Sequence, residues 1–157
     1  MSTAGPLNPS AQDTFGGTAA WSNPANALGA ANDAYASVSL AATEVSETLV
    51  LSGLGFAIPG DSVIGGVQVD VQAKRTGGSA ELAAQLADGL AGTGTVKRTA
   101  IGTVEGDLAL GGDKDLWGAI LTPGLINSAA FGVHLAVSAD AAATVADIDA
   151  VAVTVHY

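Results

Sequence analysis

The chain has 157 residues, enough for one domain with a buried core, and its lack of cysteine excludes disulfide bonds and thiolate metal sites. Fifteen acidic residues against five basic ones give a net charge of −10, so we expect neither nucleic acid nor an anionic membrane surface as a partner. Charged residues make up only 13% of the chain, which indicates either a surface partly covered by other protein subunits or an alanine-rich compositional bias.

The first 20 residues are rich in Gly, Ser, Thr, Pro, Asn and Ala, and apart from Met1 their only large apolar side chains are Leu7 and Phe15. This composition predicts a flexible, extended N-terminal arm over residues 1–20, followed by a folded domain over residues 21–157. We expect the arm to bind a partner through Leu7 and Phe15. No basic residue precedes Lys74, so the start of the chain does not have the positive region of a signal peptide.

Short segments with period-two alternation follow, separated by glycine-rich turns. Alternation of this kind is typical of strands with one buried face. The predicted strands in the first two thirds of the chain cover residues 34–40, 48–52, 67–74, 82–86 and 95–104, and residues 89–94 are predicted to form a loop.

The last third of the chain has the clearest pattern. Apolar residues alternate over 131–138 and 151–157, and Thr122-Pro123 at the start of 122–128 predicts a single helical turn with Thr122 as its N-cap. Seven to nine short strands without a long helix predict an all-β protein, an antiparallel, jelly-roll-like β-sandwich.

Several short motifs occur together from residue 20 to the C-terminus: the segment that begins at Trp21, Gly55-Phe56-Ala57-Ile58-Pro59, Asp115-Leu116-Trp117-Gly118 and Phe131-Gly132-Val133. As a set they resemble a β-sandwich domain of tailed-phage virion and decoration proteins, also seen in some bacterial surface proteins. The resemblance implies a structural role in a bacteriophage virion and no catalytic residues.

On this resemblance we expect a non-enzymatic capsid decoration or cement protein on the capsid exterior. Its partner would be the major capsid protein, and the protein itself would be a homo-oligomer, with a trimer favoured. It would be synthesised in the host cytoplasm and would need no cofactor. The alternative is a head-fibre or tail-associated module that binds a host glycan.

Trp21 and Trp117 are the residues that a glycan-binding function would use, because an exposed indole can stack on a sugar ring. Both lie in motifs next to glycine or within a few residues of proline, where a tryptophan also closes the end of a sandwich. The sequence leaves both roles open.

Chemistry beyond binding has little support in the sequence. Glu105, Asp107, Asp113 and Asp115 lie close together in a glycine-rich segment, which leaves open a calcium site or a solvated loop, and we expect no metal. The two histidines, His134 and His156, lie on strand faces opposite the large apolar residues, so we expect each of them at the surface or in an interface. No acid–base pair or activated nucleophile stands out, so a hydrolase is not expected.

Overall fold

The computed structural model describes residues 1–157 and contains ten strands in two antiparallel sheets of five strands each. This architecture confirms the predicted β-sandwich. The strands are β1 (Thr3–Leu7), β2 (Ala11–Phe15), β3 (Ala36–Leu40), β4 (Thr48–Ser52), β5 (Gly66–Thr76), β6 (Ala80–Asp88), β7 (Ala91–Ile101), β8 (Gly106–Gly111), β9 (Phe131–Ala139) and β10 (Thr144–His156).

Sheet A has the order β1-β10-β5-β8, and β3 pairs with another stretch of β10. Sheet B has the order β2-β4-β9-β6-β7. Successive strands from β3 to β6, and again from β7 to β10, alternate between the two sheets, as in a jelly roll. The crossovers leave loops at both ends of the sandwich.

The core lies between the sheets and is built by the alternation that the sequence displays. In sheet A, β10 and β5 face each other in register, with Val151 opposite Val71 and Val153 opposite Val69. One cluster of 34 buried hydrophobic residues, mostly valine, leucine and alanine, fills the space. Small branched side chains pack the two pleated faces without many aromatic rings.

Most predicted strands are present, with longer bounds. The predicted strand at residues 48–52 has the same bounds as β4, and the predicted strand at 67–74 lies within the longer β5. The prediction of a loop at residues 89–94 was wrong, because β6 and β7 are joined by a tight hairpin at Gly89-Leu90. β8 was missed because its alternation is short and glycine-flanked.

The expected flexible arm over residues 1–20 differs from the structure. Residues 3–7 pair with the end of β10 in sheet A, and residues 11–15 pair with β4 in sheet B, so the segment supplies an edge strand to each sheet. These strands are held mainly by main-chain hydrogen bonds. Composition reports side chains and not main-chain pairing, so it could not predict them.

The two termini lie side by side at the start of β1. The N–H of Ser2 donates to Tyr157 O over 2.6 Å, and the N–H of Tyr157 donates to Ser2 O over 2.9 Å. β1 and β10 are therefore antiparallel neighbours up to the last residue of the chain.

Helical structure is limited to a 3₁₀ turn at Pro24–Ala27 and the single turn α1 (Pro123–Ile126). The predicted cap of α1 is confirmed, since Thr122 Oγ1 accepts a hydrogen bond from Leu125 N–H over 3.2 Å. Neither helical segment has the length and apolarity that are needed to cross a membrane.

The loop between β8 and α1 is fastened to β7 by an ion pair. Lys97 Nζ lies 2.6 Å from Asp115 Oδ2 and 5.1 Å from the centre of the Trp117 ring. The Lys97 ammonium, together with the Trp117 N–H, holds the pKa of Asp115 below its usual range despite partial burial. A carboxyl whose pKa is lowered on folding stabilises the fold above its unfolded pKa and loses this effect as pH falls through the folded value.

We therefore predict that Lys97→Met lowers the free energy of unfolding by about 1 kcal/mol at neutral pH, a figure that allows for solvent screening of a partly exposed pair. The difference from the parent protein should shrink as pH falls below about 4 and on through the lowered pKa of folded Asp115, because the carboxylate is then protonated first in the unfolded and finally in the folded state. Urea titrations across this pH range measure both effects. Arg98→Met removes the neighbouring and more exposed pair with Glu81, 3.1 Å apart, and should cost less. Equal costs for both variants at all pH values would contradict the prediction.

Candidate functional site

Trp117 is fully buried, so of the two roles that the sequence left open it has the one that closes the end of the sandwich, and its ring is not exposed for stacking on a glycan. Its indole Nε1–H donates to Val67 O over 2.8 Å, and its ring fills the end of the space between the sheets. Trp117 has a left-handed φ of 57°, and its own carbonyl accepts from Thr95 N–H over 2.6 Å. The residue thus links β5 of sheet A to β7 of sheet B.

Trp21 is also buried, at 7% exposure, and is not a stacking platform. Its indole Nε1–H donates to Glu47 O over 2.8 Å. Both tryptophans therefore close the sandwich. Their indole N–H groups are satisfied by main-chain carbonyls, which is what burial of this side chain requires.

The two residues expected to bind a partner through the arm have different positions. Leu7 is half-buried and packs against the core between the sheets. Phe15 is 37% exposed at the edge of sheet B, where its ring meets the His134 ring edge-on with 5.3 Å between centroids. Phe15 is therefore the more accessible of the two residues to a partner.

The outer face of sheet B carries a groove that the sequence did not reveal. Three adjoining depressions of about 330, 140 and 420 Å³ follow β6 and β9, and we call them together the sheet-B groove. Its floor is formed by Ala83 and Ala136, whose methyl groups leave the space free. Apolar and polar side chains line the widest part: Phe15, Leu90, Val96, Gln85, Arg98 and His134.

The polar groups of the groove are held in place. Arg98 pairs with Glu81, and Gln85 Nε2 donates to Gly94 O over 2.7 Å. His134 Nε2 lies 2.8 Å from Gly89 O, and the side chain is buried under Phe15 and the β6–β7 hairpin. His134 is thus not at the surface, in contrast to the prediction.

One end of the sandwich exposes a group of large apolar side chains, which we call the end patch. Val63 is 83% exposed and Ile120 is 90% exposed, and they line one depression of about 450 Å³ together with Leu116. Met1, which is also exposed, lies beside Gly65 at the same end. The loops that carry the patch begin at the ends of β4 and β8, next to the Trp117 plug. An exposed apolar group of this kind makes the end patch a candidate contact surface.

The four acids of residues 105–115 do not form one site. Glu105 and Asp113 flank β8, a strand of six residues, so they are about 20 Å apart or more. Glu105 instead lies near Asp33 and the buried Asp149, and carboxylate oxygens of these three residues are within 4.8 Å of one another. Asp149 accepts from the N–H groups of Asn32 and Asp33, and Glu105 accepts from the Tyr35 hydroxyl. These are the carboxylates of the chain that could share a cation.

No protein-family model matches the chain, and no curated protein matches it. The solved structures that are similar to it include carbohydrate-binding modules and a bacteriophage tailspike domain. A CBM4 carbohydrate-binding module has a TM-score of 0.48 and 14% identity, with 82% of this chain and 89% of the module covered.

Two larger proteins are matched over a part of their length. The enzymatically active domain of tailspike protein 4 of bacteriophage CBA120 has a TM-score of 0.47 and 12% identity, with 91% of this chain and 19% of that chain covered. The CBM22-1–GH10 modules of Clostridium thermocellum xylanase 10B, complexed with xylohexaose, have a TM-score of 0.44 and 10% identity. The match covers 95% of this chain and 27% of that chain. Likeness at this level does not bear on function.

The burial of Trp117 predicts a loss of stability on substitution. Trp117→Ala should lower the free energy of unfolding by about 3–5 kcal/mol through the cavity it leaves. Trp117→Phe keeps an aromatic ring and loses the hydrogen bond to Val67 O, so it should cost about 1–2 kcal/mol. Urea unfolding followed by fluorescence of the remaining Trp21 measures both. A fully stable Trp117→Ala protein would contradict the plug role.

Proposed function

We propose that the protein is a non-enzymatic decoration protein of a bacteriophage capsid that binds the major capsid protein on the particle exterior. The observation that carries the proposal is the end patch, where Val63 and Ile120 are almost fully exposed beside one depression. The low content of charged residues and the resemblance of the sequence motifs support it.

The end patch fits a protein partner better than a soluble ligand. Its lining is mostly apolar, with Leu116, Leu121 and Pro123 beside the exposed residues, and apolar area in a desolvated contact is what a protein interface buries. Capsid binding would stabilise the particle by mass action, because the protein binds the assembled lattice and not the separated subunits. We further propose a homo-oligomer, with a trimer as the expected state.

Substitutions in the end patch test this function. The double variant Val63→Ser and Ile120→Ser should weaken binding to capsids by roughly ten- to a hundredfold, because two exposed apolar side chains no longer leave water on binding. Co-sedimentation with particles that lack this protein measures the affinity, and heating of the particles measures their stabilisation.

Val104→Ser is the matched control for this experiment. Val104 is 82% exposed, similar to Val63, but it lies beyond the end of β7, at the opposite end of the sandwich. The control should bind capsids as the parent protein does. Equal binding by the double variant and the parent protein would contradict docking through the end patch.

The sheet-B groove favours a second candidate function, a head-fibre or tail-associated module that binds a host glycan. Alanine methyl groups form the floor, Phe15 gives an aromatic edge, and Gln85 and Arg98 supply polar groups along the length of the groove. A shallow open groove with few ordered polar groups suits a sugar chain that lies along the strands.

Filling the groove tests the glycan function. Ala136→Leu adds bulk on the floor and points away from the core, so it should reduce glycan binding by about tenfold or more with little change in the free energy of unfolding. Ala152→Leu makes the same change on the outer face of sheet A and should leave binding unchanged. A glycan array followed by calorimetry measures the affinity. Absence of glycan binding by the parent protein would contradict the glycan function, and the decoration role would then be the remaining proposal.

A further inference from the structure

The N-terminal segment, residues 1–15, is attached to the sandwich in an unusual way. It crosses from one sheet to the other, with β1 on the edge of β10 and β2 on the edge of β4. Nine of its fifteen residues are exposed and only Pro9 is buried. The segment therefore contributes much of its stability through main-chain hydrogen bonds and little through packing of side chains.

A glycine pair separates this segment from the fixed part of the chain. Gly16 and Gly17 have φ values of 62° and 64°, and a Cβ at Gly16 would meet nothing within 4 Å. The fixed part begins directly afterwards, where Ala19 is buried and Trp21 donates to Glu47 O. Rotation at Gly16 can redirect the preceding fifteen residues without disturbing the core.

The edges that the segment covers require a partner. Without it, β10 and β4 would present unpaired N–H and C=O groups next to buried residues such as Val153 and Leu51. Open edges of this kind pair with any strand of the right sequence. The same segment of a second copy would fit with the same register and the same hydrogen bonds. Exchange between copies thus keeps every contact of the fold and changes only the path of the chain at Gly16.

We infer that residues 1–15 are a donor segment that a second copy of this chain takes up, so that copies are linked by exchanged edge strands. The partner is the chain itself, and the contact surfaces are the edges of β10 and β4. The inference does not rest on the proposed capsid function, since it concerns the protein in solution.

Cysteine pairing tests the exchange, because the chain has no cysteine of its own. Ala11 and Ser52 are directly opposite in β2 and β4, close enough for a disulfide. We would co-express one tagged copy carrying Ala11→Cys with a differently tagged copy carrying Ser52→Cys, so that exchange can occur during folding. The covalent heterodimer on a non-reducing gel is the readout.

The control pair is Ala83→Cys with Arg98→Cys, opposite each other within the β6–β7 hairpin, which has no means of exchange. We expect about tenfold more heterodimer from the first pair than from the control pair. The double variant Ala11→Cys and Ser52→Cys in one chain shows the pairing itself, as covalent dimer where strands are exchanged and as internally bridged monomer where they are not.

Deletion of Gly16 and Gly17 provides a second measurement on a folded chain. A shortened connection hinders the return of the segment to its own sandwich, so the dimer fraction in light scattering should rise. Heterodimer no more abundant than in the control pair, with only bridged monomer from the double variant, would overturn the inference.

Discussion

Burial of the Trp117 ring, oriented by the indole hydrogen bond to Val67 O, is the constraint that organises this end of the sandwich and the loop beside it. The ring fills the end of a core that is otherwise made of small side chains, and the main chain of the same residue is bonded to Thr95 in the other sheet. Gly111 permits this, because a Cβ there would lie 2.6 Å from Trp117 Nε1. The plug fixes the loop that presents Leu116 and Ile120, so packing in the core determines the shape of the end patch.

The two candidate surfaces of this protein arise in different ways. The end patch is on loops beyond β4 and β8, while the sheet-B groove exists because alanine occupies outward positions of β6 and β9. A larger residue at Ala83 or Ala136 would fill the groove without changing the fold. The pairing of β6 with β9 fixes the positions of Ala83 and Ala136, and the small size of these two side chains determines how much open space the sheet-B groove has.

The core strands could be predicted from the sequence because a strand with one buried face has apolar residues at every second position, such as Val67, Val69 and Val71. β1 and β2 could not, since main-chain pairing leaves no trace in polar side chains. The burial of Trp117 and Trp21 depends on which strands they meet across the sandwich, and the groove depends on the pairing of β6 with β9. Tryptophan burial and the groove are both determined by residues that are close in space but distant in sequence. For this reason the sequence left open whether the tryptophans stack on a glycan or close the sandwich.

Ser2 and Tyr157 are joined by two main-chain hydrogen bonds. The first and last strands are therefore arranged like the two strands of a β-hairpin whose connecting turn is missing. A short linker between residues 157 and 1 would close that hairpin, and the chain could then be opened elsewhere, for example at Gly89-Leu90. The same sandwich is thus compatible with a circularly permuted chain in which β1 is covalently tethered to β10. Such a permutant would carry its first strand as an internal element, fixed in place by chain connectivity as well as by pairing.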